Sequence, residues 1–270
     1  MSTSDGAIRY IDTSQPHPAR MYDYYLGGRD NYEVDREAAE RIISVVPSIV
    51  MGARANRAFL HRAVRTLAAE HGVRQFIDIG TGIPTSPNTH EVAQAVAPGA
   101  RVVYVDNDPI VGAHAEALLT EVGHTAFVLG DVRRPDSILD HPYVASLIDF
   151  DEPVALLLVA LMHFVSDEDD PAGLIAGLRD VLPVGSYLVL THGTGDRATG
   201  EFTAPVKEML AEYRATTAAL TLRSYDRVLS FFDGFELLDP GLTTVAEWRP
   251  DPGGPAPRWL GIYSGVARKL

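Results

Sequence analysis

Apolar residues recur at helical spacing from Val34 onward, with Val34, Ala38, Ala39, Ile42 and Ile43 on one face and Pro47 ending the run. A second helix is predicted from Ser48 to about Glu70, with Gly72 as its C-terminal stop. The period then changes. Short apolar runs at 75–79, 101–105, 125–129, 154–160 and 186–191 predict strands, and helical patterns at 89–97, 109–122, 136–147 and 169–182 fall between them. Apolar strands alternating with helices imply a mostly parallel sheet covered on both faces. Right-handed crossovers make it doubly wound, with its ligand site at the carboxyl ends of the strands. Residues 201–232 read as one or two helices. "FELLDPGL" and "LGIYSGVARK" read as two antiparallel strands forming a hairpin around a Pro/Gly-rich loop at 250–256.

The predicted fold class is therefore α/β: a Rossmann-like sheet, mostly parallel, with an antiparallel C-terminal strand and an N-terminal helical lid. Residues 1–72 are expected to form an N-terminal arm (loosely held over 1–19) and the lid, and 73–270 the sheet domain, the whole being one unit.

Composition narrows the function classes. The chain has 270 residues, is 46% hydrophobic and carries a net charge of −13, which argues against a nucleic-acid partner or an anionic membrane. It has no cysteine, so disulfides, thiolate metal sites and cysteine nucleophiles are excluded. The longest apolar run, Val154 to Met162, falls well short of the roughly 20 residues a bilayer requires. The opening "MSTSDGAIRY" lacks the regions of a secretory signal, so a cytoplasmic protein is expected. Oligomeric state is not readable from these features.

Three strand ends carry candidate chemistry. The first delivers Asp78-Ile79-Gly80-Thr81-Gly82, where glycines let the backbone turn sharply and approach a ligand. The second ends "VVYVDND", putting Asp106 at the same edge, 24 residues beyond Gly82, where an acid can accept both hydroxyls of a ribose. The third ends "FVLGDVRRPD" and adds Asp131. Each alone is ordinary turn chemistry, but three successive strands delivering the expected group point to a nucleoside site. A dinucleotide loop requires a third small residue and a helix N-terminus on the pyrophosphate. Here Thr85 stands at that position and Pro84 and Pro87 remove donors, which suits a nucleoside without a pyrophosphate.

On these residues the sequence resembles the class I S-adenosylmethionine (SAM)-dependent methyltransferases, with Pro84 as a departure from their glycine motif. "HPARMYDYYLGGRDNYEVDREAAERI", "DIGTGIPTSPNTHEVAQ" and "LMHFVSDEDDP" are similar, over nearly the whole chain, to a family of S-adenosyl methyltransferases long catalogued as a domain of unknown function, in which that proline is usual. The resemblance implies SAM as cofactor and S-adenosylhomocysteine as product. It implies that Gly80, Thr81 and Gly82 lie beside the methionyl part and that Asp106 binds the ribose. Asn107 would border the adenine, and Asp131 with the Val132 N–H would meet its edge. Asp78 would support the loop or the methionyl amino group, and the antiparallel last strand fits the same fold.

The fourth strand ends "ALMHFV", bringing Ala160, Leu161 and His163 near the expected methyl position. His163 is the candidate base for an acceptor that must lose a proton; a histidine packed after a strand is the alternative. Tyr24, Tyr25, Arg29 and Asn31 in "YDYYLGGRDNY" are expected to form a substrate-closing lid, hinged at Gly27-Gly28, with Arg29 pairing the methionyl carboxylate. Arg54, Arg57, His61 and Arg65 share a helical spacing and are expected to form a solvated face rather than an anion-facing wall. His192 is expected in a turn, and "DEDDP" at 167–171 at a helix start rather than at a metal. A SAM-dependent methyltransferase acting on oxygen or nitrogen of a small molecule leads. A SAM-binding sensor without turnover and an NAD-linked oxidoreductase are the alternatives.

Overall fold

The computed structural model describes residues 13–119, 123–196, 203–253 and 258–270. Helices α1 (Pro18–Leu26), α2 (Glu33–Val45) and α3 (Ile49–Glu70) precede the sheet. Next come β1 (Gln75–Ile79), α4 (Thr89–Val96), β2 (Arg101–Asp106), α5 (Pro109–Leu119), β3 (Thr125–Leu129), α6 (Pro135–Leu139) and α7 (Pro142–Leu147). They are followed by β4 (Ala155–Leu158), α8 (Pro171–Val181), β5 (Tyr187–Gly193), α9 (Ala204–Arg214) and α10 (Tyr225–Leu229), and the chain closes with β6 (Phe235–Leu237), β7 (Thr243–Thr244) and β8 (Ile262–Lys269). The strand order is β3-β2-β1-β4-β5-β8-β6, with β7 also paired to β8. The first five strands are parallel, and β8 runs antiparallel to both β5 and β6.

Alternate residues of each central strand feed different cores. Ile77, Ile79, Val103, Val105, Leu156 and Leu158 pack on one face, while Phe76, Val102, Tyr104, Ala155 and Leu157 pack on the other against Phe59 and Leu67 of α3. Both faces are buried, which is why these strands read as nearly continuous apolar runs.

Element boundaries shifted where a local restraint outweighs apolar periodicity. The helix expected over 136–147 is two, because Pro142 lacks an N–H and holds His141 extended. The fourth strand stops at Leu158, and Ala160 turns into the left-handed region at φ +56°. The expected helix over 169–182 starts at Pro171, after a 3-10 turn at Asp167–Asp169. The terminal strands pair antiparallel as expected, yet they are no simple hairpin, because β8 lies between β5 and β6 and their connection carries β7 and the buried Trp248. Arg62 of α3 holds that connection through the carbonyls of Trp248 (3.1 Å) and Val245 (2.6 Å). The ends of the expected helix 109–122 and of the 201–232 and 250–256 segments lie partly outside the described residues.

The largest departure is at the N-terminus. The loosely held arm was expected to extend to residue 19, but α1 begins at Pro18 and its side chains are anchored. Arg20 and Asp35 form a buried ion pair at 3.1 Å, and the same carboxylate accepts the backbone N–H groups of His17 and Tyr32, each at 2.9 Å. Met21 and Tyr25 join Ala38, Ala39 and Ile42 of α2, Ala53 of α3 and Met209 and Tyr213 of α9 in a small helical core.

Removing one partner of a buried pair strands the other charge, at a cost of about 3–5 kcal/mol. Asp35→Ala is accordingly expected to speed amide exchange in α1 and α2 while leaving β1, β2 and β4 protected. Unchanged exchange in α1 would show that the pair does not anchor it.

Candidate active site

A cavity of about 960 Å³ opens at the carboxyl ends of β1, β2, β4 and β5 and is walled on the far side by α1, α3 and α9. Its floor is the loop after β1. Gly80 and Gly82 both adopt positive φ (+74° and +68°), and the N–H groups of Gly80 (2.8 Å) and Thr81 (3.1 Å) donate to the Val105 carbonyl of β2. A Cβ on Gly80 would lie 2.7 Å from Leu161 Cδ1, so glycine is required for close packing as well as for conformation. A Cβ on Gly82 would point toward Ala19 of α1, 3.9 Å away. The first turn of α1 therefore lies across the loop.

Asp106 ends β2 with its side chain buried. It accepts the Gly82 N–H at 2.8 Å and the Asp108 N–H at 3.0 Å, tying the loop to the second strand. Burial outweighs these bonds and pushes its carboxyl up to about 6. With the Asn107 N–H as a third donor, the carboxylate still has acceptor capacity to spare. Asp108 caps the start of α5 by accepting the Ile110 N–H at 2.8 Å, and His17 Nδ1 approaches its other oxygen at 3.2 Å. Asp78 is buried beneath the loop and accepts the Thr89 hydroxyl at 2.7 Å, fixing the start of α4; burial raises its carboxyl.

Asp131 and Val132 line the cavity beside Asn107. The Asp131 carboxylate is gripped by Arg133 through bonds of 2.6–3.1 Å, and despite its burial these bonds hold it below the usual range. Leu161 and His163 line the cavity just past β4. His163 Nδ1 accepts the Gly193 N–H at 3.3 Å, and burial lowers the imidazole well below its ordinary value. His163 is therefore neutral at neutral pH and a weak base.

Of the expected lid residues only Tyr25 lines the cavity. Tyr24 donates its hydroxyl to Glu40, Asn31 donates to the Asp23 carboxylate at 2.7 Å, and Arg29 is exposed. Gly27 is the left-handed cap of α1, and Gly28 packs so tightly that a Cβ would fall 1.9 Å from Asp23 Oδ1. The residues that do line the cavity from this end of the chain are His17, Pro18, Ala19, Arg20, Tyr22 and Tyr25. Once residues 18–26 are helical, the alternation of inward and outward positions follows the helix and not the density of polar groups.

Two further expectations were corrected. Arg57 is not on a solvated face. It lines the cavity and donates to the carbonyls of Thr85 and, at 3.0 Å, Pro87, while its Nε is buried without a partner. His61, one turn on, is half-buried and pushed down to about 4, chiefly by burial and then by Arg57. Arg65, by contrast, is exposed and pairs with Asp251. His192 is not in a turn but in β5, fully buried, where Arg223 donates to its Nε2 at 2.9 Å. Arg223, to which no role was expected, also binds the carbonyls of Met162 (2.9 Å) and Val165 (2.8 Å) and the Asp167 carboxylate (2.8 Å). It thereby staples the turn carrying His163 to the end of β5. The acid run after that turn starts a helix as expected: Asp170 caps α8 by accepting the Gly173 N–H at 3.1 Å. Among the described residues no cluster of three or more histidine or acidic side chains could hold a metal ion.

A family profile described as S-adenosyl methyltransferase matches residues 4–270. The chain belongs to that family. A DUF574-family protein of Streptomyces avermitilis is 45% identical over 97% of this chain and 100% of its own, with a TM-score of 0.91. A candidate methyltransferase of Thermobifida fusca is 40% identical over 98% of this chain and 99% of its own, with a TM-score of 0.88. Human N-acetylserotonin methyltransferase, solved with SAM, is only 13% identical over 92% of this chain and 62% of its own, and its TM-score of 0.50 speaks to the fold alone. No curated protein matches the sequence.

An S-adenosyl methyltransferase must hold SAM, and the residues present fit it. The cavity has the volume of a sizeable ligand site. A buried carboxylate stands at the second strand end where a ribose needs an acceptor, and the glycine backbones expose no side chain toward the loop's ligand side. No helix among the described residues is long and apolar enough to cross a membrane.

Truncating Arg223 would leave two buried carbonyls and the His192 ring without their donor, so Arg223→Met is expected to destabilise the fold by about 2–4 kcal/mol. Urea unfolding measures this; a shift below about 0.5 kcal/mol would show that the staple is dispensable.

Proposed function

We propose that the protein transfers the methyl group of SAM to an oxygen or nitrogen of a small molecule held in the cavity. The observation that carries this reading is the cavity itself: it continues past the glycine loop into a chamber roofed by the chain's own helices α1, α3 and α9. Such a roof suits an acceptor that enters whole, and the net charge of −13 does not favour a polyanionic one.

In this reading Asp106 accepts the ribose hydroxyls, Asn107 borders the adenine, and Val132 N–H meets its edge beside the Asp131–Arg133 pair. Gly80, Thr81 and Gly82 lie along the methionyl chain, with Asp78 and Thr89 bracing the loop and Leu161 closing it from above. Arg57, with its unpartnered Nε at the loop, takes the carboxylate that the sequence pattern had given to Arg29. Tyr25 stands in the acceptor chamber, while Tyr24 and Asn31 act only by bracing α1 and α2.

When bound, SAM supplies an electrophilic methyl on a sulfonium. The acceptor's lone pair takes that carbon, and the electrons of the broken C–S bond return to sulfur. The chain's contribution is to align the acceptor and exclude water. His163 could take a proton from a hydroxyl acceptor only at Nδ1, the nitrogen that accepts the Gly193 N–H, and would give up that bond to do so. As a weak base it contributes modestly, and an amine acceptor does not need it before transfer.

Asp106→Ala is expected to weaken SAM binding by roughly 1–3 kcal/mol in calorimetric titration; an unchanged Kd would remove the ribose assignment. The sign of the pH effect follows from the raised carboxyl. Asp106 is ionised above about 6 and protonated below, and only the ionised form accepts two hydroxyls. SAM affinity should be flat at neutral pH and fall by up to about tenfold per unit below that value. His163→Ala should leave the Kd for SAM intact while lowering turnover of a hydroxyl acceptor about 10²-fold or less. Tight SAM binding without methyl transfer to any acceptor would replace this reading with that of a SAM-binding protein without turnover.

A further inference from the structure

Charge is distributed unevenly around the cavity. Among the described lining residues the acidic side chains stand at strand ends or just beyond them, as Asp78, Asp106, Asp108, Asp131 and Asp169, with Arg133 beside Asp131, while Arg20 and Arg57 enter from the roofing helices α1 and α3. The opposite side is built from Ile49, Ala53, Phe164, Met209, Tyr213 and Leu222, and these residues form or flank one continuous helical core. Phe164 and Tyr213 pack with ring centroids 5.7 Å apart. Among the described lining residues from α9 and from 217–222, none is aspartate, glutamate, lysine or arginine, while of the cations on the roofing helices Arg20 is paired with Asp35 and Arg57 donates to the loop carbonyls. An ion moved into such a chamber loses its hydration and gains no counter-charge.

Tyr22 of α1 and Asn56 of α3 bring linked polar groups to the chamber. The Tyr22 hydroxyl donates to the Ala53 carbonyl at 2.9 Å, so toward Asn56 it can only accept, and it takes the Nδ2 proton at 2.9 Å. That fixes the orientation of the Asn56 amide. Asn56 is 2% exposed, lines the cavity, and its Oδ1 has no partner. A buried acceptor without a donor is a cost that a ligand can remove. Burial keeps the Tyr25 and Tyr213 phenols neutral, Tyr213 being pushed up to about 12, so neither supplies an anion for a cationic ligand.

We infer that the methyl acceptor is a neutral, largely apolar ring compound carrying a hydroxyl or amine, and that the Asn56 side-chain oxygen receives its donor hydrogen. The aromatic and aliphatic wall supplies affinity for the ring, and the lone amide sets its orientation. Sugars, nucleotides, carboxylates and ammonium compounds are disfavoured by the same wall. This inference rests on the methyltransferase reading and adds the class of acceptor to it.

The test uses the full-length protein and four matched probes: 1-naphthol, its methyl ether, 1-naphthoate and 1-naphthylmethylammonium. S-adenosylhomocysteine is titrated first by calorimetry, and its failure to bind would overturn the cofactor reading itself. With it bound, naphthol is expected to bind at least about tenfold more tightly than either charged probe and more tightly than the ether. Asn56→Leu should retain S-adenosylhomocysteine binding and abolish the preference of naphthol over the ether. Equal or tighter binding of a charged probe, or no binding of any naphthyl probe to the cofactor complex, would overturn the acceptor class while leaving the cofactor site standing. A naphthol preference that survives Asn56→Leu would overturn the role of the amide. If that variant does not fold, the ranking of the four probes on the unaltered protein still decides the class.

Discussion

The strand order reverses at β1: the chain winds outward to β3, then returns to place β4 on the other side of β1. Right-handed crossovers send the connections on the two sides to opposite faces of the sheet, so the carboxyl ends of β1 and β4 diverge and no main-chain connection bridges them. Every functional feature of the molecule is a consequence of that unclosed edge. The glycine loop turns over it, Asp106 reaches the loop from β2, and the turn bearing Leu161 and His163 reaches it from β4. What the sheet cannot cover by its own winding, the N-terminal helices cover.

That cover is held from two directions. Below, Ala19 packs toward Gly82 and His17 comes within 3.2 Å of Asp108 without a hydrogen bond, its Nδ1 accepting the Ala19 N–H, so α1 meets the strand ends by packing alone. Above, Arg20, Asp35 and the apolar core shared with α9 fasten α1 to elements far away in sequence. The cavity beneath thus has two chemically distinct sides. Acidic groups gather where strand ends and helix starts supply backbone N–H donors for them, and apolar groups gather where helices pack on helices.

The sheet and the strand-end groups were legible in sequence because both arise from short-range rules. Short, nearly continuous apolar runs mark the strands, and an acid or glycine at a strand end is visible within a few residues of it. Asp78, Gly80, Gly82, Asp106, Asp131, Leu161 and His163 line one cavity on that basis, together with Asn107 and Val132, which only the family resemblance had implied. The misjudged residues are those whose partners lie far along the chain. His192 resembled a turn residue until Arg223, 31 positions away, supplied its hydrogen bond, and Arg57 resembled a solvated cation until the carbonyl of Pro87, 30 positions away, came within reach. The expected helical lid differs in its side chains: the density of tyrosines and polar groups pointed to Tyr24, Arg29 and Asn31, yet a helix turns only some of its side chains inward, and of the four only Tyr25 lines the cavity.

The ion pair between Arg20 and Asp35 also has a kinetic meaning. A ligand seated beneath His17, Ala19 and Arg20 can exchange through that side only when the first turn of α1 detaches, and the detachment breaks a desolvated ion pair together with its backbone bonds. Residence time there is then set by the opening of the protein and not by the ligand's own affinity. Two ligands leaving by that side would do so at similar rates even with very different Kd.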